Sequence, residues 1–247
     1  MINAPVGFQC PSCAAISNPR GTRVRSGQQS LGRLSGIPLV TRWILIACSG
    51  IYIFGVLFGT SDSLAEQFGM WPYAVADGQW WRLITAAFLH AGIFHILFNM
   101  YALYILGPGL ERFLGSRKFA TLYFLSALGG STLSFWFSNP NSLAVGASGA
   151  IFGLLTATIV VGKHLNNDVS QLIALLAINV VIGFSGGIDW RAHFGGAVVG
   201  ATISAIYVKD FHGSSRRIQT VSVFLIFALL VALIVLRNQS LATQLGF

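Results

Sequence analysis

Ser148 stands in the run Gly146-Ala147-Ser148-Gly149-Ala150-Ile151-Phe152-Gly153, His193 opens a second apolar stretch, and His95 and Asn99 lie four residues apart in a third. Together these types can carry out acyl transfer. A serine hydroxyl attacks a carbonyl only when a base takes its proton, and neutral imidazole titrates in the right range for that near pH 7. In this chemistry His193 accepts the Ser148 proton and later gives it to the leaving amine. The oxyanion formed on the way needs preorganised donors, each worth roughly 3–4 kcal/mol of barrier in a low-dielectric site. Asn99, His95 and the backbone N–H of Ser148 at a helix start can supply them. Phe152, four residues after Ser148, shares its helix face and is expected against the imidazole. His90 falls off the face of His95 and Asn99 by more than a third of a turn, which sets it near the helix start, outside the cluster. Asp189 precedes His193 by four residues; it stands where it could orient the imidazole, but is expected instead to cap that helix or stay solvated, leaving a dyad rather than a triad.

The elements that must hold these residues are membrane helices. Of 247 residues 54% are hydrophobic and only 9% charged, a composition foreign to soluble domains. A helix needs about 20 apolar residues to cross roughly 30 Å of hydrocarbon, and the stretches that qualify are about 42–59, 90–107, 118–138, 146–162, 169–187, 190–208 and 218–236. The predicted fold is therefore all-α, a polytopic bundle of seven transmembrane helices. Residues 1–37 form a polar cytoplasmic tail without the apolar core of a cleavable signal peptide, 38–210 a six-helix catalytic membrane domain, and 211–247 an added C-terminal helix and tail. Lys and Arg are retained on the cytoplasmic side, and an inside N-terminus leaves only Arg82, Arg191 and Arg237 outside among 15 basic residues. Topology and anionic lipid thus account for the net charge of +8 without nucleic acid.

In that topology helices two, four and six run from outside to inside, and each carries its polar groups in its first turns. His95, Asn99, Ser148 and His193 then share one depth. Intramembrane polar groups are costly enough to mark function, so one water-filled cavity near the outer surface is expected. Gly149 and Gly153 on helix four, and Gly196 and Gly200 on helix six, form small-xxx-small faces that let backbones approach closely. A Ser148–His193 hydrogen bond of about 2.6–3.2 Å demands such an approach. The competing readings are a packing serine, and an ion or solute transporter; the latter calls for polar residues along a full path through the bilayer.

The ordered set resembles the rhomboid intramembrane serine proteases. It comprises Trp81-Arg82, His90-x4-His95-x3-Asn99, Glu111-Arg112-x2-Gly115, Gly146-Ala147-Ser148-Gly149 and His193-x2-Gly196-x3-Gly200, in family order over about residues 70–205. The resemblance implies Ser148 as nucleophile, His193 as general base, and His95 and Asn99 as oxyanion stabilisers. It also implies glycine packing at Gly146, Gly149, Gly153, Gly196 and Gly200, a structural loop anchored by Arg82, and cleavage of transmembrane protein substrates near their outer ends without a required cofactor. Read from residues alone, Trp81-Arg82 is equally an interfacial belt with a snorkelling cation. Phe152 departs from the tyrosine of many members, and a seventh helix follows the six-helix core. A non-catalytic relative that binds membrane helices is the rival from another class, and it would lack Ser148 or His193.

Cys10-Pro11-Ser12-Cys13 is half of a tetrahedral zinc site, and nothing in the tail supplies the other half. Some bacterial rhomboid proteins carry a longer Cys/His-rich segment there. The alternatives are zinc held by Cys10 and Cys13 with further ligands, and an incidental reduced pair.

Overall fold

The computed structural model describes residues 2–3, 8–9, 36–184, 188–209 and 216–245. The chain forms two units, Met1–Arg33 and Leu34–Phe247. In the first, β1 (Ile2–Asn3) and β2 (Phe8–Gln9) pair antiparallel with Ile2 opposite Gln9. Cys10 and Cys13 lie outside the described residues.

The second unit is helical. Its elements are α1 (Leu39–Leu57), α2 (Ser61–Phe68), α3 (Pro72–Ala76), α4 (Arg82–Thr85), a 3-10 turn (Ala86–Phe88), α5 (Ile93–Leu114), α6 (Ser116–Phe137), α7 (Ser148–His164), α8 (Ser170–Gly183), α9 (Trp190–Lys209) and α10 (Arg216–Leu245). The seven long ones match the seven stretches in the sequence, with shifted ends: α5 starts three residues later, and α10 runs nine residues further. Three of them, α1, α5 and Arg217–Leu241 of α10, are long and apolar enough to cross a membrane, while α7 and α8 are apolar but shorter. The helices α6 and α9 carry hydroxyl side chains such as Ser126, Thr132, Ser134, Thr202 and Ser204. Those groups donate to carbonyls of their own helix or to Asp189, Ser126 excepted, so they need no water.

Arg237, assigned to the outer side by sequence, lies within α10; its Nε donates to the Phe135 carbonyl and its guanidinium covers the Trp136 ring. Helix α10 thus docks on α6 and does not end before this cation.

At the start of α1 the Pro38 cap offers no side-chain acceptor. Glu111 of α5 takes its place, accepting from the Val40 N–H, the Thr41 N–H and the Thr41 and Ser116 hydroxyls at 2.7–2.9 Å. Arg112 donates to the Gly36 carbonyl. One residue, Gly115 at φ +82°, separates α5 from α6, a backbone conformation that favours glycine.

Candidate active site

Ser148 is the first residue of α7, the most deeply buried of the long helices. The segment that leads into it is fixed by backbone pairing. Met70 and Ala144 exchange two hydrogen bonds of 2.9 Å, and the Gly146 N–H donates to the Ala86 carbonyl. Gly146 has φ +133°, and a Cβ there would stand 2.6 Å from His95 Nε2 and 3.8 Å from Ser148 Oγ. Gly146 is therefore not a helix-packing glycine; it precedes α7 and gives His95 room beside the serine. The first N–H groups of α7 lack intrahelical partners, as in any helix, and stand at the positive end of its dipole.

His193 lies in the first turn of α9. Its ring stacks on Phe152, one turn along α7 from Ser148, with centroids 4.0 Å apart and planes 12° from parallel. Glycines make that approach available: a Cβ on Gly196 would collide with the Gly149 carbonyl, and one on Gly200 with the backbone of Gly153. Against the sequence expectation, no Ser148–His193 hydrogen bond is formed among the described residues, and His193 Nδ1 is buried without a partner. The imidazole takes its place from the Phe152 ring, and nucleophile–base contacts are often loose in unliganded sites.

His95 and Asn99 come to the same space from α5. Asn99 is buried, and its Nδ2 donates to the His95 carbonyl at 2.8 Å, within its own helix. His95 Nδ1 accepts from the Ala91 N–H at 3.4 Å. His90, set apart from His95 by helical spacing, packs edge-on against it with centroids 5.1 Å apart. His90 is not among the residues that line the cavity; α5 begins only at Ile93, so His90 lies in the loop just before that helix.

Ser148, His193, His95 and Asn99 all line one cavity of about 650 Å³, together with Asp189, Ser131, Ser134 and Asn179. Sequence reasoning overlooked the last three. The signal for the serines is their i, i+3 spacing, which puts them on one face of α6; Asn179 gave none. Asp189 accepts from the Ala192 N–H at 3.4 Å and from the Ser134 hydroxyl, so it caps α9 and also reaches α6.

Arg82 is buried, with Nη1 donating to the Glu66 carbonyl at 2.6 Å and the Gly69 carbonyl at 2.9 Å, and Nε to Gln79 Oε1 at 2.8 Å. Burial lowers its pKa from the usual guanidinium value. It does not snorkel: it gathers the loop that carries Met70, and Met70 pairs with the strand-like segment leading to Ser148. Trp81, by contrast, is half exposed, and its Nε1 reaches the Gln67 carbonyl only at 3.5 Å. Among the described residues no group of three His, Cys, Asp or Glu side chains could hold a metal ion.

A family model described as the rhomboid domain matches residues 77–210, more than half of the chain, and the protein belongs to the rhomboid family. The chain is similar to rhomboid protease AarA of Providencia stuartii, 29% identical over 213 residues that cover 72% of this chain and 75% of AarA. It is 40% identical over 176 residues to the mitochondrial RHOMBOID-like protein 6 of Arabidopsis thaliana, covering 64% of this chain and 56% of that one. With rhomboid protease GluP of Bacillus subtilis it shares 40% identity over 132 residues, 51% of this chain and 26% of GluP. The chain thus spans about half or less of the length of two of these three relatives and three quarters of the other.

Proposed function

We propose that this protein is an intramembrane serine endopeptidase that cleaves peptide bonds in or beside transmembrane segments of other membrane proteins. The observation that carries the reading is the stack of His193 on Phe152 one turn from Ser148, with Asn99 and His95 on the same cavity wall. Ser148 Oγ attacks the scissile carbonyl while His193 takes its proton. His193 then protonates the leaving amine, and water releases the acyl group from Ser148 by the reverse path. Asn99, His95 and the Ser148 N–H stabilise the oxyanion; Asn99 turns to it from the His95 carbonyl, while His95 keeps the Ala91 N–H on Nδ1 and donates from Nε2. The chemistry needs no cofactor, and the membrane domain spans residues 38–210 with 211–247 as an appended helix.

The N-terminus faces the cytoplasm and the cavity opens on the opposite side. A 17-residue helix is about 25 Å long, short of the roughly 30 Å hydrocarbon core. With Lys163 and His164 at one interface, Ser148 therefore sits below the other, within reach of the outer end of a substrate helix.

A fluorophosphonate probe tests the covalent step in detergent or liposomes. Wild type is labelled, Ser148→Ala is not, and His193→Ala is labelled weakly. Equal labelling of wild type and Ser148→Ala would remove Ser148 from the mechanism.

A further inference from the structure

We propose that Asp189, tied to Ser134, is a positioning residue that holds His193 towards Ser148 and balances the imidazolium formed during the reaction. This deepens, and rests on, the reading of Ser148 and His193 as nucleophile and base. Asp189 stands immediately before α9, where one carboxylate oxygen accepts the Ala192 N–H, as a helix cap does. A cap needs only that oxygen. The other accepts the hydroxyl of Ser134 in α6, a side chain that is 1% exposed and whose Oγ also lies 3.0 Å from Ser138 Oγ.

The tie adds a side-chain contact to backbone contacts already made between α9 and α6. A Cβ on Gly130 would lie 2.7 Å from the Ala192 carbonyl, and one on Gly195 would collide with the Gly129 carbonyl. The first turn of α9 is thus pinned to α6, and His193 extends from that pinned turn to stack on Phe152 of α7.

Charge is the second part of the inference. Asp189 is the one carboxylate on the cavity wall among the described residues. The other ionisable groups around His193 are His95, with His90 packed behind it, and Arg191 in the same turn of α9, whose guanidinium lies 5.0 Å from the Trp190 ring centre. From α6, α7 and α8 the cavity receives only uncharged polar groups, those of Ser131, Ser134, Ser148 and Asn179. A carboxylate one turn from an imidazole in a poorly solvated space favours the transition state in which that imidazole has gained a proton.

The test is the rate at which a fluorophosphonate labels Ser148 in liposomes, resolved into a maximal rate and a half-saturating concentration, with thermal stability measured alongside. Asn caps helices as well as Asp, so Asp189→Asn keeps the cap and removes the charge. The expected result is a maximal rate about 10-fold lower, a difference of about 1.4 kcal/mol in barrier, with half-saturation and melting temperature unchanged. Ser134→Ala should lower the rate in the same sense, and the double variant by less than the product of the two effects. Ser134→Thr, which keeps the hydroxyl, should recover most of the loss. A wild-type maximal rate in Asp189→Asn overturns the proposal, as does a rate loss in both variants that merely follows a fall in melting temperature. Failure of the underlying reading looks different, because wild type would then be labelled no better than Ser148→Ala whatever stands at residue 189.

Discussion

Helices α7 and α8 are both apolar and both short, yet they sit in opposite surroundings. Twelve of the 17 residues of α7 are buried, whereas in the 14-residue α8 only Gly183 is. The difference extends to their neighbours. α7 and α9 meet backbone to backbone at Gly149–Gly196 and Gly153–Gly200, while α5 turns Phe94, Phe98 and Tyr101 outward, each more than 60% exposed. Geometry that must hold to a few tenths of an ångström is therefore built where side chains are absent and backbones touch. The half with large outward side chains faces the membrane, where apolar area matters and exact fit does not.

The largest expected effect breaks the tight half. Gly200→Val forces side-chain atoms into the Gly153 backbone, and overpacking of this kind costs about 1–3 kcal/mol or more. Fluorophosphonate labelling of Ser148 should disappear while the purified protein keeps its helical circular dichroism; full labelling would contradict the close α7–α9 contact. A smaller effect is expected on the cavity wall that α5 supplies. On the proposed mechanism Asn99→Ala removes a donor whose worth lies in the transition state, so turnover should fall roughly 100-fold with the Michaelis constant nearly constant. An unchanged turnover in a folded variant would take Asn99 out of the chemistry. The smallest effect sharpens the contrast from the other side: Val181→Ala, at a residue 72% exposed on α8, should change stability by no more than about 0.5 kcal/mol. A loss of several times that, by thermal unfolding in detergent, would mean that α8 is packed as α7 is.

Much of this contrast is legible in the sequence, because seven apolar stretches and paired glycines four residues apart report directly on helices and their close faces. What stayed hidden depends on where helices begin and on partners far away in the chain. His90 was assigned by helical spacing to a helix that starts only at Ile93. Gly146 looked like part of a packing face, but its φ of +133° belongs to the turn before α7. Arg237 has the composition of a loop cation, and only the docking of α10 on Trp136 shows why it sits inside a helix. The Asp189 cap could be foreseen from its place before His193, whereas its bond to Ser134 spans 55 residues and leaves no periodic trace.

The buried carboxylate of Glu111 also sets a clock on synthesis. A helix cap normally comes from a residue beside the helix and is present as soon as the turn forms. The N–H groups of Val40 and Thr41 are instead served by a residue about 70 positions later. At a translation rate of about 5–20 residues per second, α1 leaves the ribosome several seconds before its cap exists. During that interval its first turn has to find its acceptors in water or lipid headgroups, and the arrival of α5 releases it into the bundle. Helix α1 is thereby capped only after α5 has been made, which joins the completion of its first turn to the synthesis of the helix that carries His95 and Asn99.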